Sequence, residues 1–209
     1  MHRYMILTAF LLAAVGCSQR ETPKPPSAQP QEAGSSAMTI LQKLVTEQNY
    51  RSLGFESLDE VKEAQLGQPM AVSNIALDKL KSYRQGTDAN TLLAASPETI
   101  YPVTVRGSVR TSVTIVHKEA GYEPASFGNA EIVKALVRYR QPDAGPNEFV
   151  LRIPAFNMYY VARRVENRLT VIPIVEDPRV KAKAGEPIPV ETLLDQLRPL
   201  ADSYNGLPM

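Results

Sequence analysis

Runs of β-branched and aromatic residues joined by two-residue turns constrain this chain more than any other feature. Residues 100–106 and 109–118 flank Gly107-Ser108, and Met158–Val165 and residues 168–176 flank Glu166-Asn167. Each pair has the length, composition and turn of a β-hairpin. A further run at 149–153 precedes the second pair, and 70–77 is a weaker strand candidate. Strands do not alternate with helices one for one, so the pattern points away from βαβ units. It predicts an α+β fold with a mostly antiparallel sheet of about five or six strands.

Helical spacing supplies the remaining layer. Ile40, Leu41, Leu44 and Val45 predict a helix over 39–53. Ser57-Leu58-Asp59-Glu60 has the capping-box pattern of a serine followed three residues later by glutamate, starting a helix that runs to Leu66. A short helix over 78–84 is closed by Gly86. Asn129 caps a central helix with Ile132, Val133, Leu136 and Val137 on one face. The last helix starts near Pro189, turns Val190, Leu193, Leu194 and Leu197 inward, and is kinked or ended by Pro199. N-terminal, central and C-terminal helices are thus expected to cover the sheet.

Residues 1–16 have the features of a targeting segment: a basic start at His2-Arg3, then an apolar run over 5–15. Eleven residues are too few to cross a hydrocarbon core of about 30 Å as a helix. The run leads into Ala14-Val15-Gly16-Cys17, which resembles the bacterial lipobox. The resemblance implies a lipoprotein precursor: cleavage before Cys17, diacylation of that cysteine, and a membrane partner reached through the N-terminal lipid. More than one acyl chain is needed for stable anchoring, which the resemblance would supply. It places the protein in the cell envelope, and Ser18 after the cysteine implies the outer membrane, facing the periplasm, in a Gram-negative cell.

Residues 17–37 form the expected tether. From Ser18 to Ala37 there are four prolines and no Val, Ile, Leu, Met or aromatic residue, too little apolar surface to offset the entropy of ordering. As polyproline II these residues reach roughly 60 Å. A chain starting at Met38 is accordingly expected to be as stable as one starting at Ser18. Residues 38–209 then read as a single globular domain.

Composition removes several classes of function. The whole chain carries 23 Lys+Arg against 22 Asp+Glu, and loss of Arg3 with the leader leaves 22 of each, which gives no electrostatic basis for a nucleic-acid partner. One cysteine and two histidines exclude a disulfide framework and argue against a Cys/His zinc site. No Asp/Asn-rich calcium loop, nucleophile elbow, phosphate-binding loop or dinucleotide turn is present, so no metal, cofactor or catalytic residue is assigned. His117 is expected at a strand end, open to solvent. Phe156 and Tyr159-Tyr160 read as core and rim.

The second hairpin carries the one candidate ligand site. With Glu166-Asn167 as its turn, Val165 faces Arg168, Arg164 faces Leu169 and Arg163 faces Thr170. Met158, Tyr160, Ala162 and Arg164 with Leu169, Val171, Pro173 and Val175 make the better core face. The other face places Arg163 and Arg168 as diagonal neighbours, able to hold an anion, to pair with acids elsewhere, or to keep an exposed hairpin soluble. The expected role is a lipid-anchored envelope protein that binds a protein, peptide or envelope component without catalysis. The alternatives are a hydrolase using paired carboxylates on envelope material, and a small-ligand carrier or sensor.

Overall fold

The computed structural model describes residues 26–141, 143–166 and 168–206. The expected leader and Cys17 lie outside the described residues. Among these residues, five α-helices and nine strands form an α+β domain around one large, mostly antiparallel sheet. The strands are β1 (Gln65–Leu66), β2 (Met70–Ile75), β3 (Leu93–Val105), β4 (Ser108–Lys118), β5 (Gly121–Gly128), β6 (Glu148–Ile153), β7 (Met158–Val165), β8 (Arg168–Pro173) and β9 (Ile188–Pro189). Their order is β5-β4-β3-β2-β6-β7-β8-β9, with β1 paired to β3. The pairing of β2 with β6 is parallel, and the others are antiparallel.

The strand count exceeds expectation because β1 and β9 have two residues each and β5 has no β-branched residue. β5, Gly-Tyr-Glu-Pro-Ala-Ser-Phe-Gly, follows from β4 through a tight turn and pairs from Lys118↔Gly121 to Ser112↔Gly128. In the β3–β4 hairpin the turn lies one residue earlier than expected. Arg106 and Gly107 both have positive φ (51° and 79°), and Ser108 already pairs with Val105. Two consecutive left-handed residues match the right-handed twist of the strands they join. The β7–β8 register is as the alternation predicts: Val165↔Arg168, Arg164↔Leu169, Arg163↔Thr170.

The first helix, α1 (Pro30–Leu44), overturns part of the expected tether. Residues 30–37 are its first half, and Ala33, Gly34 and Ala37 are buried with Leu41. Small side chains need little apolar area of their own when they let a helix approach its neighbour closely. A Cβ on Gly34 would lie 2.8 Å from Leu66 Cδ1. Upstream, Ser27 pairs with Tyr122 through two backbone hydrogen bonds of 2.9 Å. α1 stops at Leu44 instead of reaching residue 53, because Asn49 intervenes. Its Oδ1 accepts from the Thr46 N–H (2.7 Å) and its Nδ2 donates to the Leu44 carbonyl (2.9 Å).

α2 (Leu58–Glu63) follows Ser57 as expected, but without the expected capping box. The Ser57 side chain makes no capping bond, whereas Glu60 accepts from the Glu56 N–H at 2.8 Å. Arg110 on β4 reaches Glu56 and Glu60, both at 2.7 Å, and Arg106 grips Glu63. These pairs hold α2 to the β3–β4 hairpin.

α3 (Leu77–Ser82) and α5 (Val190–Ser203) pack on the C-terminal half of the sheet, with Ile75, Leu151, Tyr160 and Val171. Val190, Leu193, Leu194 and Leu197 are fully buried. Pro199 neither ends nor delimits α5. It removes one helical hydrogen bond, yet the helix runs on to Ser203 with Ala201 in the core. On the same face, α1 and α2 cover Tyr101, Val103, Val113 and Ile115. The opposite face carries α4 (Ala130–Tyr139), whose Val133 and Leu136 cover Met70, Val72, Val150, Val161, Ile172 and Ile174. Both hairpin faces are therefore used, although one was expected to dominate.

Candidate functional site

The expected arginine pair does not form a shared anion site. Arg163 donates to Glu148 through Nη2 (2.7 Å) and Nε (3.1 Å), and reaches the Tyr139 carbonyl at 3.5 Å. Glu148 also accepts from the Gln141 N–H and lies 3.4 Å from Arg140 Nε. With its side chain 1% exposed, Glu148 is a buried anion held between two guanidinium groups. It fastens the C-terminal end of α4 to β6 and β7. Arg168 stands exposed beside the turn. Of the three readings of these arginines, ion pairing describes Arg163.

His117 is exposed at the end of β4 and stacks on Tyr122, its cross-strand partner, with ring centroids 4.4 Å apart. Phe156 and Tyr160 are buried, and Tyr159 is half-buried. The Tyr160 hydroxyl contacts Met158 Sδ at 3.2 Å, and burial pushes its ionisation far above the ordinary tyrosine range. Among the described residues no cluster of three or more His, Cys, Asp or Glu could hold a metal ion, and no helix is long and apolar enough to cross a membrane.

A concavity of about 170 Å³ lies on the α4 face of the sheet. Alternation along five strands, β5, β4 and β3 on one side of β2 and β6 and β7 on the other, brings its polar groups together. Ser126 on β5 pairs with Thr114 on β4, and Glu98 lies on β3. Arg152 on β6 faces Tyr159 on β7. Val72, Ile100, Ile132 and Leu136 form the apolar part of the wall. Asn129, at φ 57°, turns the chain from β5 into α4 at the rim.

Glu98 and Arg152 are joined by one 3.1 Å bond, from Nη1 to Oε2. Both are about one-third exposed, so neither charge is sealed in the core. The Arg152 guanidinium also lies over the Tyr159 ring, 5.5 Å from its centroid. Arg152 Nε is buried without a hydrogen-bond partner among the described residues, and so is Oδ1 of Asn74, the residue beside it on β2. Ser112 spends its hydroxyl on the Gly128 carbonyl (2.7 Å). The cleft thus has a neutral pair of opposite charges, unspent polar atoms and an apolar wall, the mixture that small-ligand sites use.

Sequence reasoning did not select Glu98, Arg152 or Thr114. The usable signal was Arg152 itself, a cation inside the otherwise apolar run Phe-Val-Leu-Arg-Ile. Its partner is 54 positions away and two strands across. No protein-family model matches this chain, and no curated protein or solved structure matches it either.

Proposed function

We propose that this protein is a lipid-anchored lipoprotein of the cell envelope whose domain has a non-catalytic binding role. The observation that carries the reading is the placement of the single cysteine, Cys17, directly after an apolar leader that ends in Ala14-Val15-Gly16. Ser18 favours the outer membrane, facing the periplasm, in a Gram-negative cell. The structured chain supports a binding role through the cleft on the α4 face. Its charged lining residues are one acid and one base already paired, an arrangement suited to holding a ligand. A hydrolase using two carboxylates would need a second acid facing Glu98 across that space.

The anchor also sets where the binding surface can work. Eight residues separate Cys17 from Pro26, nine Cα steps that span at most about 30 Å. The domain would ride close to the lipid headgroups, half as far out as a tether reaching residue 37 would allow. Metabolic labelling with a palmitate analogue tests the proposal. Label is expected on the wild type and absent from Cys17→Ser, which should also leave the membrane fraction. Label that persists on the serine variant would defeat it.

A further inference from the structure

We infer that the cleft bounded by Glu98, Arg152, Thr114 and Tyr159 binds a small zwitterion of the α-amino acid type, its ammonium on Glu98 and its carboxylate on Arg152. The inference rests on the binding role proposed above and names the ligand class for it. Each member of the charged pair is only half spent. Glu98 uses Oε2 on Arg152, leaving Oε1 for an incoming ammonium. Arg152 uses Nη1, and its buried Nε has no hydrogen-bond partner among the described residues. A guanidinium with a donor still unspent takes a carboxylate through charge-assisted hydrogen bonds.

The charge balance selects the ligand further. A simple anion would have to compete with Glu98 for Arg152, and a simple cation with Arg152 for Glu98. A zwitterion meets both free halves, leaves the existing bond in place and keeps the cleft neutral. Thr114 offers a third contact. It is 8% exposed, lines the cleft and pairs with Ser126 on the neighbouring strand. Size fits as well: about 170 Å³ is below the usual range for drug-sized ligands and suits a molecule of roughly ten heavy atoms. The ligand's own side chain should be apolar. Val72, Ile100 and Ile132 line the cleft, and past Tyr159 an adjoining hollow of about 220 Å³ is lined by Met158, Ile174 and Val175.

The test is isothermal titration of the full mature chain, purified in detergent, with leucine, N-acetyl-leucine, leucinamide and glucose. Leucine is expected to bind saturably. The acetylated and amidated forms, each lacking one charge, should bind at least about tenfold more weakly, the loss of one charge-assisted contact. Arg152→Gln should abolish binding, and Thr114→Val should weaken it while the domain stays folded. Either single-charge derivative binding as well as leucine overturns the inference, as does unaltered affinity in Thr114→Val and Arg152→Gln together. Absence of leucine binding at millimolar concentration does so too. Saturable glucose binding in its place would reject the zwitterion and leave the binding role standing. Loss of the palmitate label would instead remove the anchor and leave the titration unaffected.

Discussion

Glu148 and Arg163 show how much a single residue decides here. Arg163 is not a solubilising cation on a hairpin, because Glu148 has almost no exposed surface and two of its hydrogen bonds come from that guanidinium. Arg163→Gln removes a partner from a buried carboxylate and should destabilise the domain by about 3 kcal/mol, moderated by Arg140 nearby. Arg168→Gln, on the exposed side of the turn, should change stability by less than about 0.5 kcal/mol. Urea denaturation of the two variants measures both values, and equal effects would contradict the assignment. Glu60 supplies a pH dependence of known sign. Burial pushes its carboxyl up, but the Glu56 N–H and the Arg110 guanidinium outweigh that and hold it below the ordinary range. Asp177 is held down by hydrogen bonds from Arg179, against the opposing effect of burial. Depressed native values mean stability that is complete above the unfolded carboxylate range, about pH 4–4.5, and lost as pH falls below it. Thermal melts of the wild type should therefore decline steeply below about pH 4, and Glu60→Gln should flatten part of that decline while costing stability at pH 7.

Elements with strong period and bulky side chains were legible in the sequence, and those built from small or unbranched residues were not. The β7–β8 register followed from the turn and the alternation alone, as did the inward face of α5. β5 escaped because Gly, Pro, Ala and Ser give no strand signal, so its pairing comes from the neighbouring β4. The first half of α1 escaped for a related reason. Ala33, Gly34 and Ala37 contribute close approach where a sequence reading looks for bulk. The cleft was hidden differently, since its groups come from seven elements and meet only when β2 and β6 pair. Truncation separates the two views of α1. A chain starting at Met38 leaves seven helical residues and removes two buried alanines together with the Ser27–Tyr122 pairing. The lost burial is worth about 2 kcal/mol at roughly 0.8 kcal/mol per methylene-sized group plus the helix it seated. Its melting temperature should fall by about 4–8 °C relative to a chain starting at Ser18, whereas one starting at Pro26 should match within about 2 °C. A Met38 chain that melts with the wild type would restore the longer tether.

At the scale of the whole molecule the sheet joins two antiparallel halves along the parallel β2–β6 seam, and the helices decide whether those halves are independent. Each half has its own core on one face, one under α1 and α2 and one under α3 and α5. Those two cores alone would allow separate folding. Two connections oppose it. α3 and the turn that follows it belong by sequence to the first half, between β2 and β3, yet Leu80 of α3 and Tyr83, Ala89 and Leu92 after it are buried in the core of the second. On the other face α4 packs against β4 of the first half and β7 of the second, and its Val133 and Leu136 share one core with residues of β2, β6, β7 and β8. The third core thus crosses the seam, and its loss should weaken both halves together. Leu136→Ala is expected to cost about 3 kcal/mol, within the range for a fully buried leucine, and to lower the melting temperature by roughly 6–12 °C for a chain of this length. Calorimetry should still show a single transition, with matching van't Hoff and calorimetric enthalpies. If the halves were coupled only by the three residue pairs of the seam, the same substitution would split the transition, with one half melting near the wild-type temperature. Two resolved peaks in that variant would show two folding units, and one shifted peak would show that α4 and α3 make them one.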